Sequence, residues 1–186
     1  MLLKEDLFLI GAVLWAVGIV TAWILKKAPR KIVFWSVVYF YVIGVLAVTL
    51  FPIPYDGVET MYPVPNNLIP FHSISAGMKK GIRRTVLMQI GGNIALSIPY
   101  GVLLYLVSRK KGIYLLLRAL LFPFIIENLQ LIVGGIVGLN YRSFDVDDFI
   151  LNTIGVYMGY ILGKLILRPY REKFVPEYFK FSMVWR

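Results

Sequence analysis

The chain contains no cysteine and only one histidine, His72. The absence of cysteine excludes disulfide bonds and thiolate chemistry. A single histidine argues against a zinc site, because such sites usually draw on several cysteine or histidine ligands. His72 lies beside Phe71 in a connection, where we interpret it as a loop residue. We therefore expect neither a resident metal nor another cofactor.

Charged residues are also scarce. They make up 16% of the chain, whereas apolar residues make up 59%, and the mean hydropathy is +0.73. A soluble domain averages about 25% charged residues. The composition therefore indicates an integral membrane protein. The net charge of +10 is typical of basic loops beside membrane spans rather than of nucleic-acid binding, and we expect no nucleic-acid partner.

Five apolar runs approach or reach the roughly 20 residues that a helix needs to cross the hydrocarbon core. They predict an all-α integral membrane bundle of five transmembrane helices, forming a single membrane domain over residues 1–186. The predicted spans are Leu7–Leu25, Ile32–Phe51, Val86–Val107, Ile113–Val133 and Phe149–Leu167.

Lysine and arginine are concentrated in the first connection, the third connection and the C-terminal stretch. Loops rich in these residues are usually cytoplasmic. With an odd number of spans, the N-terminus is then outside and the C-terminus cytoplasmic. The stretch after Leu167 interleaves aromatic and basic residues, which predicts an amphipathic tail at the inner membrane surface.

The second connection, residues 52–85, is the longest. Its first half is rich in proline and should be irregular. Its second half predicts a short amphipathic helix over Ser73–Arg84 in the outer interface. A solvated loop end is the alternative. In the helical interpretation, four cations contact lipid headgroups: Lys79, Lys80, Arg83 and Arg84.

Polar residues recur near the outer ends of three spans. Given the predicted orientation, the third, fourth and fifth spans bring theirs to a similar depth. They are Gln89 and Asn93, Glu127 and Gln130, and Asp147, Asp148 and Asn152. Ionisable groups inside spans usually face the bundle interior with a partner. For Glu127, the nearest plausible counter-ion in sequence is Arg142.

Several of these residues also have purely structural interpretations. Asp147 or Asp148 could cap the fifth helix. Asn93 and Asn152 could hydrogen-bond between spans, and small residues could permit close helix packing; these are Gly91, Gly92, Gly155 and Gly159. The Asp-x-Asp-Asp spacing from Asp145 could bind a hard cation, although the sequence offers no longer ligand set.

Four motifs together resemble the VanZ-like family of membrane proteins. They are Asn67-Leu-Ile-Pro-Phe71, Gly92-Asn-Ile-Ala-Leu-Ser-Ile-Pro-Tyr-Gly101, Glu127-Asn-Leu-Gln130 and the stretch from Arg142 to Gly155. Two positions depart from the family pattern: Gly92 replaces a frequent acidic residue, and Tyr100 replaces a phenylalanine.

The resemblance implies a multi-pass protein of the bacterial plasma membrane with a family core over about residues 32–167. The founding member of the family is associated with resistance to the glycopeptide teicoplanin rather than vancomycin. Motif positions carry over to Asn67, Pro70, Phe71, Asn93, Pro99, Gly101, Glu127, Gln130, Arg142, Asp145, Asp148, Asn152 and Gly155.

Three functions remain open at this point. The first is a protein that binds or shields an envelope lipid or a lipid-linked cell-wall precursor, and so interferes with a lipoglycopeptide. Its predicted ligand-binding residues are Asn67, Phe71, Asn93, Glu127, Gln130, Arg142, Asp145, Asp148 and Asn152. The second is an outer-leaflet enzyme with Glu127 or Asp145 as its acid or base. The third is a small transporter with Glu127 as a relay.

Overall fold

The computed structural model describes residues 1–54, 62–107 and 112–170. It contains six α-helices in this part of the chain, and no strand there extends beyond isolated bridges. The helices are α1 (Lys4–Ile24), α2 (Pro29–Thr49), α3 (His72–Lys79), α4 (Arg83–Val107), α5 (Ile113–Val137) and α6 (Val146–Ile166), followed by a short 3-10 turn at Arg168–Tyr170.

Five of these helices, all except α3, are long and apolar enough to cross a membrane. The prediction of an all-α bundle with five spanning helices is therefore confirmed. The predicted span ends differ from the observed ends by a few residues, because polar residues such as Lys4 and Asp147 join the first turns of helices. The predicted amphipathic tail beyond Tyr170 lies outside the described residues.

One end of the bundle gathers the starts of α1, α4 and α6 and the ends of α2 and α5; we name it the polar end. Two backbone hydrogen bonds of 2.9 and 3.0 Å join Leu2 to Ile53 there. The segment before α3 also lies at the polar end, because Asn67 pairs with the residues on either side of Asp145. This arrangement brings five helix ends together at one end of the bundle.

The predicted helix over Ser73–Arg84 is wrong at its C-terminal end. The observed α3 ends at Lys79, and Gly81 takes a positive φ of 76°. That conformation suits glycine and interrupts a right-handed helix. Arg83 and Arg84 consequently form the first turn of α4 rather than the last turn of α3.

Among the described helices, α4 and α6 have the most extensive contact with each other. A Cβ atom on Gly101 would lie 2.1 Å from the carbonyl oxygen of Val156, and one on Gly159 would lie 2.0 Å from that of Ile98. Gly155 faces the Ile94 carbonyl oxygen in the same way, at 2.4 Å. The two backbones therefore touch without intervening side chains, which small residues permit between spanning helices.

The glycine prediction is confirmed for Gly155 and Gly159 but wrong for Gly91 and Gly92. No heavy atom lies within 4 Å of a Cβ atom built on either of these two residues. Both are exposed on α4 and contact no other helix. Sequence shows that small residues are present, but it does not show the rotation of a helix about its axis.

Helices α1 and α2 form a hairpin beside the remaining bundle. Within it, the Tyr39 hydroxyl donates to the Gly11 carbonyl oxygen (2.7 Å), and the Trp15 indole donates to the Ser36 hydroxyl (2.9 Å). Near the middle of the span, the Tyr41 hydroxyl donates to the Leu96 carbonyl oxygen on α4, and Phe34 packs against Tyr105 and Leu106 on the same helix. Most of the α1 surface is exposed, as expected for a helix that faces lipid.

We expect Gly159→Ala to destabilise the protein by about 1–3 kcal/mol, the usual cost of overpacking a closed contact. The added methyl group would collide with the backbone of α4 at Ile98. Resistance of the purified protein to unfolding in sodium dodecyl sulfate would measure the effect. Gly91→Ala, which meets open space on α4, is the matched control and should be neutral or slightly stabilising. Equal losses in both variants would contradict the packing argument.

Candidate functional site

Asp145 begins α6 and joins three segments. Its carboxylate caps the helix by accepting a 2.8 Å hydrogen bond from the Asp147 backbone N–H, and it accepts another of 2.8 Å from the Asn67 side-chain amide. Its own N–H donates to the Glu127 carboxylate on α5 at 3.1 Å. Asp145, rather than Asp147 or Asp148, therefore occupies the N-cap position, while the other two lie in the first turn, where negative charge complements the helix dipole.

Asp147 stabilises a different helix. Its carboxylate accepts hydrogen bonds from the backbone N–H groups of Phe71 and Ile74, which belong to the N-terminus of α3. Phe71 has a positive φ of 63° at this point. The first N–H groups of a helix lack intrahelical partners and attract negative charge. Asp147, which is 1% exposed, thus fixes the short helix α3 against the first turn of α6.

Asp148 begins a ladder of polar side chains between α4 and α6. One of its oxygens accepts hydrogen bonds of 2.7 Å from both Gln89 and Asn93. Deeper in the bundle, the Asn152 amide donates to the Asn93 side-chain oxygen at 3.4 Å, and the Ser97 hydroxyl donates to the Asn152 oxygen. The ladder descends beside the glycine contacts, so the close α4–α6 packing also sets its geometry.

The three aspartates therefore diverge toward different elements of the fold. Asp145 accepts hydrogen bonds from α6 and the second connection, Asp147 accepts them from α3, and Asp148 accepts them from α4. Within residues 1–54, 62–107 and 112–170, no three acidic or histidine side chains converge in a way that could hold a metal ion. The Asp-x-Asp-Asp spacing thus organises helices in this structure.

Three consecutive carbonyl groups at the end of α2 accept side-chain hydrogen bonds. Gln130 on α5 donates to the Thr49 oxygen (3.0 Å), Tyr141 to the Leu50 oxygen (2.9 Å) and Arg142 to the Phe51 oxygen (2.9 Å). The last carbonyls of a helix lack intrahelical partners and favour a nearby cation. These contacts fasten the α1–α2 hairpin to the rest of the bundle.

Arg142 donates to the Phe51 carbonyl oxygen and, contrary to expectation, forms no ion pair with Glu127 in the structure. The neighbouring Tyr141 lies outside the spanning helices and is partly buried, and this burial raises the pKa of its phenol above the ordinary value. This shift favours the protonated phenol, which is the form that donates to the Leu50 carbonyl oxygen.

The sequence interpretation missed Asn66, Ser97 and Asn140. The Asn66 side-chain oxygen accepts from the Phe144 backbone N–H (2.9 Å) and from the Asn140 amide (3.0 Å). Ser97 is fully buried in the ladder. Its position one helical turn after Asn93 was a usable signal, since residues four apart share a helix face. Asn66 and Asn140 had no comparable signal, because they lie in irregular segments.

Six of the predicted site residues thus take part in a network of hydrogen bonds at the polar end, and half of them are buried. Glu127 is 2% exposed and Asn152 is 1% exposed, and no buried side-chain nitrogen or oxygen in the described part of the chain lacks a hydrogen-bond partner. Buried polar groups that are fully paired stabilise one arrangement of a core. The structure brings Asn67, Asn93, Glu127, Asp145, Asp148 and Asn152 into this network, whereas Gln130 and Arg142 lie at α2 and Phe71 is exposed.

Helix α3 and the turn that follows it are accessible at the polar end. All four predicted lipid-contacting cations are exposed, and we name them the basic platform: Lys79, Lys80, Arg83 and Arg84. Exposed apolar side chains flank the platform: Leu68, Ile69, Phe71, Met78 and Ile82. Cations beside exposed apolar groups suit the boundary between lipid headgroups and acyl chains.

We expect Asp147→Ala to release α3 while leaving α6 folded, since it removes the only acceptor described for two backbone N–H groups. The loss should be about 1–3 kcal/mol in the local stability of α3. Hydrogen–deuterium exchange over residues 71–79 would measure it. Asp6→Ala, which removes an exposed carboxylate that accepts from the Leu3 N–H, is the control and should leave α3 unchanged. Unaltered exchange in Asp147→Ala would refute the capping role.

The chain was compared with protein families, curated proteins and solved structures. A family model described as VanZ/LLP1 matches residues 38–167. This range includes all four motifs, the α4–α6 pair and the network around Asp145. No curated protein and no solved structure gave a significant match. Because the match covers well over half of the chain and five helices can span a membrane, the protein is a multi-pass membrane protein and belongs to the VanZ/LLP1 family.

Proposed function

We propose that this protein acts in the bacterial plasma membrane by binding an anionic envelope lipid or lipid-linked precursor at the basic platform. The observation that supports the proposal is the exposed cluster of Lys79, Lys80, Arg83 and Arg84 beside exposed apolar side chains. Phosphate groups attract such cations, and the apolar neighbours can enter the acyl region.

In this proposal, the hydrogen-bond network at the polar end holds the basic platform in position. Asp147 fixes α3 and Asp145 fixes the preceding segment through Asn67. The platform is therefore held in place before a lipid arrives, which lowers the ordering cost of binding. The individual ligand-binding assignments within the network stay predictions. In this proposal they act by holding the platform.

The distribution of lysine and arginine along the chain supports an outward-facing polar end. In that orientation, the platform lies in the leaflet where glycopeptides meet cell-wall precursors. Teicoplanin carries an acyl chain that vancomycin lacks. A protein that shields a lipid-linked precursor, or disturbs the membrane contact of the drug, would consequently protect against teicoplanin more than against vancomycin.

Geometry favours this binding role over the enzymatic alternative. Glu127 is 2% exposed and accepts a backbone hydrogen bond, and Asp145 is 6% exposed with its carboxylate engaged by a helix N-terminus and an amide. An acid or base must come within hydrogen-bond reach of the substrate proton. Both carboxylates are instead committed to joining α5, α6 and the second connection.

We expect expression of the protein in a susceptible Gram-positive host to raise the inhibitory concentration of teicoplanin but not of vancomycin. Replacing Lys79, Lys80, Arg83 and Arg84 together with glutamine should abolish the rise, because the phosphate-binding charges are lost. Removing basic residues from an outer loop reinforces the predicted orientation, so inversion of the protein would not explain a loss.

The matched control keeps the charges and exchanges the side chains, as Lys79→Arg, Lys80→Arg, Arg83→Lys and Arg84→Lys. This variant should retain most of the protection at equal membrane levels. Full protection by the glutamine variant, or protection lost equally in both variants, would contradict a charge-based platform. The absence of a rise with any form would separate membership of the family from this phenotype.

Glu127→Gln distinguishes binding from catalysis. Glutamine keeps a side-chain oxygen that can accept from the Asp145 N–H, but it cannot act as a proton donor or acceptor in acid–base chemistry. We expect this variant to retain protection against teicoplanin and to bind lipid as the parent does. If protection disappeared while native mass spectrometry showed unchanged folding and lipid binding, the enzymatic alternative would be favoured.

A further inference from the structure

An apolar groove of about 870 Å³ lies between α2 and α4 in the half of the bundle away from the polar end. Val33 and Val37 form the wall on α2, and Ile98 and Val102 form the wall on α4. Arg30 lies at the end of the groove where α2 begins. The groove is separate from the basic platform, which is at the opposite end of the bundle.

The hydrogen bonds that hold α2 against the bundle lie at the polar end and near the middle of the span. The α2 carbonyls are bound at the polar end, and Tyr41 contacts Leu96 near the middle of the span. Toward Pro29, Phe34 still packs against Tyr105 and Leu106 on α4, but the valine wall of the groove stays open. Val33 and Val37 keep 63% and 62% exposure. In a membrane, such apolar surfaces are covered by hydrocarbon rather than by water.

Tyr41 closes the deep end of the groove, and two further aromatic rings support it. Tyr41 lines the groove and stacks toward Phe122 with ring centroids 6.4 Å apart, and Phe122 stacks on Tyr100 at 4.7 Å. These three rings join α2, α4 and α5. Tyr41, supported by the other two rings, limits how far an acyl chain that enters beside Arg30 can extend.

The length of the groove matches one leaflet. From Arg30 to Tyr41, α2 rises about 17 Å at roughly 1.5 Å per residue. The hydrocarbon core of a bilayer is about 30 Å thick, so one leaflet contributes about 15 Å. A cation at the membrane surface and an apolar trough of this depth complement a phosphate and a single acyl chain. A helix from another protein would instead need a groove along the whole span.

We propose that this groove binds an anionic phospholipid, with its phosphate at Arg30 and one acyl chain between α2 and α4. The guanidinium group suits a phosphate because it can donate two parallel hydrogen bonds. In the predicted orientation this end of α2 is cytoplasmic, where anionic lipids supply the negative surface. The site does not depend on the function proposed for the basic platform.

Photo-cross-linking tests the proposal with the full chain in phosphatidylcholine nanodiscs. The probe is phosphatidylglycerol that carries a diazirine in the middle of one acyl chain, and mass spectrometry maps the labelled residues. We expect labelling on Val37, Ile98 and Val102 to exceed labelling on Ile161 and Leu165 several-fold. The latter two are exposed on α6 in the same half of the bundle, so they report ordinary boundary lipid.

Three variants sharpen the result. Val102→Trp fills the groove and should remove the excess labelling, whereas Val20→Trp, on an exposed part of α1, should preserve it. Arg30→Gln should lower the excess and Arg30→Lys should keep most of it. Size-exclusion chromatography would show that each variant folds; if Val102→Trp did not, excess unlabelled phosphatidylglycerol should still displace the probe in the parent protein.

Two results would overturn the proposal. Equal labelling of the groove and of α6 would mean that boundary lipid alone covers α2. Equal labelling of the groove by a photoreactive diacylglycerol, which lacks a phosphate, would remove the role assigned to Arg30. Both results are independent of teicoplanin protection, so a failure here is distinguishable from a failure of the basic platform.

Discussion

The polar end depends on one constraint, which is that carboxylates near a hydrocarbon core need hydrogen-bond donors. Three aspartates fall within four residues at the start of α6, and a buried carboxylate without hydrogen-bond partners is costly. Each aspartate obtains its donors from a different place: the helix itself and Asn67, the N-terminus of α3, and the side chains of α4. The hydrogen bonds that stabilise these carboxylates therefore also hold α3, α4, α6 and the second connection together.

The contact between α4 and α6 makes this assembly possible. Glycines at positions 101, 155 and 159 bring the two backbones together, so short side chains such as Asn93 and Asn152 can reach across. A larger residue at any of these positions would separate the helices and leave the amides without partners. Packing and hydrogen bonding are thus coupled along this interface, and neither would be maintained alone.

Sequence predicted the number and order of the spanning helices because each is a long apolar run, and it predicted that polar residues gather at one end. It did not predict which partner each residue takes. Asp145, Asp147 and Asp148 are similar by local signals, and their partners lie in segments far away along the chain. Gly91 and Gly159 are similarly alike in sequence, but only the packed structure shows which of them faces another helix.

At the polar end, α2 is held through its main-chain carbonyl groups, whereas Tyr41 and Phe34 hold it through their side chains farther along the helix. Any residue supplies a carbonyl, so the identities of Thr49, Leu50 and Phe51 matter little to the hydrogen bonds they accept. The family match begins at residue 38 and so leaves α1 and the start of α2 outside it. Gln130, Tyr141 and Arg142 all lie inside the match, so the family core itself supplies the donors that hold the end of a hairpin lying mostly outside the match.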